Sequence, residues 1–260
     1  MKIGIYYDEE RLKANGWFAE TLKKELENRG CEAFIAMTGD FSVIPDVAVM
    51  RATDYSFSKL LEAKGVRVVN NSKVSRIAND KVESKLYALG LDVPVMQGFV
   101  GNKESSAYVI YPKIVKSRYG HGGTQVYMVN NHKEYAKAFR AIGEKTVLIE
   151  DVARDFGKDL RVYVMGGKIL CGVLRTSETD FRSNYSLGGK ARVVDIPDDA
   201  KEYTKTLITG LDATFIGVDF VFDKGRARLN EIEDVVGCRM LYDLNVCDAV
   251  ELYADEILKG

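Results

Sequence analysis

Three carboxylates recur at short intervals near the C-terminal end of the chain, in Phe215-Ile-Gly-Val-Asp-Phe-Val-Phe-Asp-Lys-Gly-Arg-Ala-Arg-Leu-Asn-Glu-Ile-Glu233. Residues 215–222 and 226–233 are rich in β-branched and aromatic types, and Asp223-Lys224-Gly225 between them is a turn signal, so the segment reads as a hairpin. A three-residue loop with glycine in its left-handed position sets Asp219 opposite Leu229. Alternation then predicts Asp219, Glu231 and Glu233 on one face, with Asp219 and Glu231 as diagonal neighbours. Carboxylates so close repel one another unless a cation sits between them, and removing one charge from the empty site is expected to relieve that repulsion. Hard oxygen donors suit Mg²⁺, with Mn²⁺ as its substitute. The same pattern also fits the solvated face of an ordinary hairpin.

A second chemical segment runs Tyr111-Pro-Lys-Ile-Val-Lys-Ser-Arg-Tyr-Gly-His-Gly-Gly-Thr-Gln-Val126. Glycines 120, 122 and 123 allow backbone amides close to an anion, and Lys116 adds a positive charge beside them, as in a phosphate-covering flap. It is not a P-loop, because no Gly-x-x-x-x-Gly-Lys-Ser/Thr run leads into a helix. A flexible hairpin tip is the competing reading. His121 fits a catalytic, a substrate-orienting or a solvent-facing role. In Asp159-Leu-Arg161 and in Asp180-Phe-Arg-Ser-Asn184 the paired residues share a strand face, so Arg161 and Arg182 can hold phosphate or carboxylate in a fixed fork. A surface ion pair and a polar turn remain open for them.

These residues need elements to position them. Strands are predicted at Lys2–Tyr7, Cys31–Met37, Val47–Arg51 and Val66–Val69, with helices over Gly16–Arg29 and about Tyr55–Lys64, giving a small α/β layer closed by Asn70-Asn71-Ser72. A helix at Asp80–Leu89 and strands at Val93–Val100, Lys113–Ser117, Val126–Val129 and Val147–Asp151 follow, with a helix at His132–Ile142. Leu160–Met165 and Lys168–Arg175 flank Gly166-Gly167, a hairpin signal that makes the last part mainly antiparallel.

With 260 residues, 46% of them hydrophobic, the chain can bury a large core, and a formal charge of -1 gives no global field to attract nucleic acid. Cys31, Cys171, Cys238 and Cys247 follow no metal-ligand spacing, the N-terminus shows no apolar signal segment, and no apolar run approaches a membrane span. A soluble cytoplasmic protein with reduced thiols and no membrane partner is the expectation.

Across roughly Asn79 to Met240 the sequence resembles the ATP-grasp ligases, most of all the branch of the ribosomal-protein glutamate ligases and the amino-group-carrier ligases of lysine biosynthesis. The motifs carrying the likeness are Asn79-Asp80-Lys81, Pro112-Lys-Ile-Val-Lys116, Gly120-His-Gly-Gly123, Ile149-Glu-Asp151, Lys158-Asp-Leu-Arg161, Asp180-Phe-Arg-Ser-Asn184, Gly217-Val-Asp219 and Asn230-Glu-Ile-Glu233. The resemblance implies an α/β (α+β) ATP-grasp fold: a short N-terminal α/β domain over 1–72, a nucleotide-covering subdomain over 73–150, and a C-terminal subdomain with the metal site over 151–260. It also implies that Lys81, Lys116, Gly122 and Gly123 meet ATP phosphates, that the backbone of Glu150, Asp151 and Val152 meets the adenine edge, and that Asp159 faces the ribose. Asp219, Glu231 and Glu233 would hold Mg²⁺, two ions in all, while Arg161, Arg182 and Asn184 serve the reaction centre.

The implied reaction is ADP-forming: a carboxylate takes the γ-phosphoryl group to give an acylphosphate, and an amine displaces phosphate to leave an amide. Small-molecule or peptide carboxylates and amines are the partners, and a homo-oligomer is compatible with it. The chain departs from the family pattern in two places. Glu233 stands where a metal-binding Asn is usual, and Asp234-Val-Val-Gly-Cys-Arg239 replaces the usual Ser-Pro-Gly segment. There Arg239 fits either a substrate carboxylate or a solvent-facing helix position. Two alternatives stay open: an ATP-grasp phosphotransferase or ester-forming ligase, and a non-catalytic nucleotide-binding module.

Overall fold

The computed structural model describes residues 1–178, 181–182 and 189–259. It opens with β1 (Lys2–Tyr7), α1 (Glu9–Asn28), β2 (Glu32–Met37), β3 (Val47–Met50), α2 (Tyr55–Ala63) and β4 (Arg67–Val69). The strands make a parallel sheet in the order β2-β1-β3-β4. Unbroken burial along Val47–Met50 is what a parallel strand covered on both faces requires. Helix α1 begins at Glu9 rather than at the expected Gly16. Asp8 caps it, accepting from the Arg11 amide at 2.8 Å, and Glu9 and Glu10 lie in the first turn, where the helix dipole favours acids. A kink at Asn15 joins this added stretch to the rest.

Next come α3 (Ser72–Ala78), α4 (Lys81–Leu89), β5 (Gly98–Gly101), β6 (Lys113–Lys116), β7 (Val126–Val129), α5 (His132–Ile142) and β8 (Val147–Glu150). The strands form an antiparallel sheet in the order β5-β8-β6-β7. Helix α3 is absent from the sequence expectation, although Asn71 caps it by accepting from the Val74 amide at 3.0 Å. The strand expected from Val93 starts only at Gly98. Pro94 has no N–H to give a ladder, and its carbonyl accepts from the Leu229 amide at 2.8 Å while Val95 bridges Leu229.

The third sheet contains β9 (Lys158–Met165), β10 (Lys168–Thr176), β11 (Lys190–Val194), β12 (Phe215–Asp223) and β13 (Arg226–Glu233), in the antiparallel order β11-β10-β9-β12-β13. Helices α6 (Asp198–Thr209), α7 (Arg239–Asp243) and α8 (Ala249–Leu258) accompany it. One face carries Leu160, Val162, Ile216, Val218 and Phe220 into a core with α3 and α6. On the other face Tyr163, Met165 and Phe215 pack with Phe18 and Leu22 of α1 and Tyr253 of α8. Each such side chain contributes roughly 1.5–3 kcal/mol on burial, so the sheet is clamped on both sides. Two and four residues along that second face from Tyr163 stand Arg161 and Asp159, and four residues from Phe215 stands Asp219. The charged stretch is thus an extension of a well-packed surface.

Candidate active site

Asp219 and Glu231 face each other directly across the β12–β13 ladder, not diagonally. The turn has two residues, Lys224 and Gly225, both at positive φ (55° and 73°), and Asp223 pairs with Arg226. Two-residue loops of this kind match the strand twist, and Gly225 takes its conformation without steric cost. Continued unchanged, that register would set Asp219 against Asn230 and turn Glu231 to the opposite face. The ladder instead shifts between Phe220–Leu229 and Asp219–Glu231, so Asn230 is the extra residue of a bulge. Leu229 goes with Phe220 into the apolar core, which overturns the expected Asp219–Leu229 pairing. The bulged Asn230 turns its Oδ1 to Lys116 Nζ, at 2.7 Å. The three carboxylates still converge, with one oxygen from each within 4.8 Å of the others.

Cations from the neighbouring strands close around them. Arg161, opposite Asp219 on β9, donates from Nε to Oδ1 at 2.8 Å and from Nη2 to Oδ2 at 2.7 Å, and Nη2 also meets Glu233 at 2.8 Å. Gly217 makes the room: a Cβ there would stand 2.8 Å from Val236 and 3.4 Å from Arg161 Nε. Arg175 of β10 bridges Asp159, at 2.5 Å, and Asp219, at 2.7 Å. Lys81 at the start of α4 meets Glu231 at 2.9 Å. Burial opposes the charge on Asp219, but the two guanidiniums outweigh it and hold this carboxyl at about 2. Burial pushes Glu233 up to about 7 against the pull of Arg161, and raises Asp159 despite Arg175. Glu231 lies below the usual range because Lys81 overcomes its burial.

A second cluster adjoins the first. Glu150, at the end of β8, is 1% exposed, and its side chain pairs with Lys85 through one oxygen and with Lys116 through the other at 2.6 Å. The two lysines overcome burial and hold Glu150 low, while burial drives Lys85 below the ordinary lysine value. Two cations on one carboxylate leave a positive charge over, which the field of Glu231 offsets. The family resemblance implies only a backbone role for Glu150, and its backbone lies within the sheet, between Gly98 and Ile114.

Two cavities border this network. The first is lined by Lys81, Lys116, Gly123, Glu150, Asp151, Val152, Asp159, Arg182 and Glu231 together with Met96, Ile114 and Val221. The second is lined by His121, Gly122, Arg161, Glu233 and Arg239 together with residues of α1. Arg175 belongs to both. The loop after β6 runs between them, its Gly120 carbonyl accepting from Lys81 Nζ and its Gly123 carbonyl from Arg182 Nη1 at 3.2 Å. Burial, together with the charges of Lys81 and Arg11, lowers His121 to about 4, so it is neutral at pH 7. Asn184 and Asp180 lie outside the described residues. Arg175, Lys85, Asn230 and Arg11 are site residues the sequence reading passed over. For Arg11 the Asp8 cap was a signal; for the others, the signal is a contact between distant segments.

Hard oxygens at this spacing fit a divalent cation such as Mg²⁺. Lys81 and Arg161 hold Glu231 and Glu233 through Oε2, which leaves Oε1 of each outside these pairs. The three carboxylates stand beside a cavity that Lys81, Lys116 and Lys158 also line. A family model described as a RimK-like ATP-grasp domain matches residues 75–252. The chain belongs to this family. As an ATP-grasp ligase it is 24% identical to the glutamate–LysW ligase ArgX of Sulfurisphaera tokodaii, over 84% of this chain and 82% of that protein. A RimK-domain ATP-grasp protein from Sphaerobacter thermophilus has the same fold, with a TM-score of 0.77 at 21% identity over 99% of this chain and 100% of the other. The D-alanine–D-alanine ligase from Bacillus anthracis, solved with ATP, gives a TM-score of 0.78 at 17% identity, covering 100% and 96%. Among the described residues, no helix of this ATP-grasp ligase is long and apolar enough to cross a membrane.

Proposed function

We propose that the first cavity takes ATP and the second a carboxylate substrate, and that the enzyme joins that carboxylate to an amine through an acylphosphate, releasing ADP and phosphate. One observation carries the reading. The carboxylate ladder and Arg175 stand between the two cavities, with Glu231 lining the nucleotide side and Glu233 the substrate side. In this reading residues 1–72 wall the substrate cavity, residues 73–150 cover the nucleotide and residues 151–260 carry the reaction centre.

Lys116 and Lys81 bind the phosphates, and Val152 and its neighbours meet the base. Asp159 lies on the nucleotide side, held by Arg175. Arg182 faces the phosphates from beside Gly123, and Arg175 and Arg161 face the point where phosphate and substrate meet. Fixed guanidiniums there stabilise charge on a transferring phosphoryl group, and no protein nucleophile is required. Mg²⁺, held by Glu231 and Glu233 beside Asp219, would neutralise phosphate charge when bound. The neutral His121 borders the substrate cavity and is placed to orient the acyl group. Substrate capacity follows the named relatives in kind: amino acids or a carrier peptide.

The test is product analysis after incubation with ATP, Mg²⁺ and a panel of carboxylates and amines. ADP, phosphate and a new amide in equal amounts support the ligase. ADP with a stable phosphorylated product would replace it by a phosphotransferase, and ADP with an ester by an ester-forming ligase.

A further inference from the structure

Arg51 directly follows β3 and is 4% exposed. Its guanidinium lies over the Phe18 ring, 4.7 Å from the centroid, and Nη2 donates to the Val236 carbonyl at 3.0 Å. Nε and Nη1 have no hydrogen-bond partner among the described residues, yet the side chain lines the substrate cavity. The hydroxyls of Tyr7 and Tyr253 lie near it, both pushed up by burial, so they offer no anionic charge at neutral pH. Asp234 feels the Arg51 charge, but its Oδ2 accepts from Asn79 at 3.1 Å and it makes no ion pair with Arg51. A buried guanidinium that meets neutral hydroxyls and no carboxylate among the described residues is costly until an anion completes it.

We propose that Arg51 anchors a carboxylate that the reaction leaves intact, on the amine-supplying substrate, an amino acid or peptide end with an apolar or aromatic side chain that enters the second cavity beside the carboxylate to be activated. This rests on the second cavity being the substrate cavity. The body of the ligand follows from the walls: Phe18, Met240 and Tyr242 line the cavity with Trp17, which is 61% exposed and meets Tyr242 edge to face at 5.3 Å. Exposed indole at a cavity wall offers apolar area with little entropy to lose. Arg11, on α1, is already paired with Asp8 at 2.7 Å. Arg239 also lines the cavity but is exposed to water, so Arg51 supplies the buried charge, and the aromatic wall selects what is attached to the anion.

The experiment is titration calorimetry with L-phenylalanine, L-leucine and L-glutamate, each against its α-carboxamide, with and without a non-hydrolysable ATP analogue. In the wild type the free acids of phenylalanine or leucine should bind roughly tenfold or more tightly than their amides. In Arg51→Met that ratio should fall to near one while affinity for the amide and for the ATP analogue is kept, and Arg51→Lys should restore part of the ratio. Equal binding of acid and amide, no binding of any of the six compounds, a preference for glutamate, or undiminished discrimination in Arg51→Met would each overturn the proposal. Should Arg51→Met fail to fold, the wild-type comparison and Arg51→Lys decide. Failure of the ATP analogue to bind would count instead against the ligase reading, since the acid and amide comparison is also made without nucleotide.

Discussion

Arg175 Nη2 lies 2.7 Å from Asp219 Oδ2 while the same side chain holds Asp159, so the carboxylate at the centre of the site is enclosed by guanidiniums from two strands. Strand alternation alone predicts mutual repulsion among Asp219, Glu231 and Glu233, relieved when one charge is removed. The cross-strand arginines reverse that sign at Asp219. Asp219→Asn should lower stability by about 3–5 kcal/mol, because it leaves two buried guanidiniums with one carboxylate each, Glu233 for Arg161 and Asp159 for Arg175. Urea unfolding without nucleotide or metal measures it, and a variant as stable as the wild type would mean that Arg161 and Arg175 find other partners. Glu231→Gln, which releases only Lys81, should cost less.

Lys116 shares Glu150 with Lys85 and reaches Asn230, all beside the first cavity. Lys116→Ala should weaken ATP by on the order of tenfold or more and adenosine far less, since the contact is to phosphate. Lys85→Met should show the same preference more weakly, by letting Glu150 draw Lys116 away. Calorimetry with both ligands checks this; equal losses would remove Lys116 from the phosphate site.

Arg182 donates to the Gly123 carbonyl and lines the first cavity. Arg182→Lys should keep near-normal ATP affinity and lose on the order of a hundredfold in ADP release, because lysine cannot reproduce the planar fork. A loss confined to ATP binding would place this side chain in binding and not in chemistry.

His121 is held at about 4 by burial and by the charges of Lys81 and Arg11. With its folded value below the unfolded one, its contribution to stability is fully present above about 6.5 and is lost as pH falls through about 4. His121→Asn should therefore lose less stability than the wild type between pH 7 and pH 4.5, as read from denaturation midpoints. Parallel pH curves for the two proteins would show that His121 stays accessible to water.

Strand alternation and turn chemistry are local properties, so the sequence by itself placed the hairpin, put Lys116 on β6 and set Asp159 beside Arg161 on one strand face. It also carried the ATP-grasp likeness, because motif order survives where overall identity is low. Its error in the hairpin was one of parity. The Lys224-Gly225 turn and the core's demand for Leu229 set competing registers, and only the packing of Phe220 against Leu229 forces the bulge at Asn230. Tertiary structure alone decided which cation meets which acceptor: Arg175 reaches the Asp219 carboxylate across 44 residues, Lys116 the Asn230 amide oxygen across 114, and Arg51 the Val236 carbonyl across 185. Such pairings depend on sheet order and on which side chains lose their water, and neither is written in the period of any single segment.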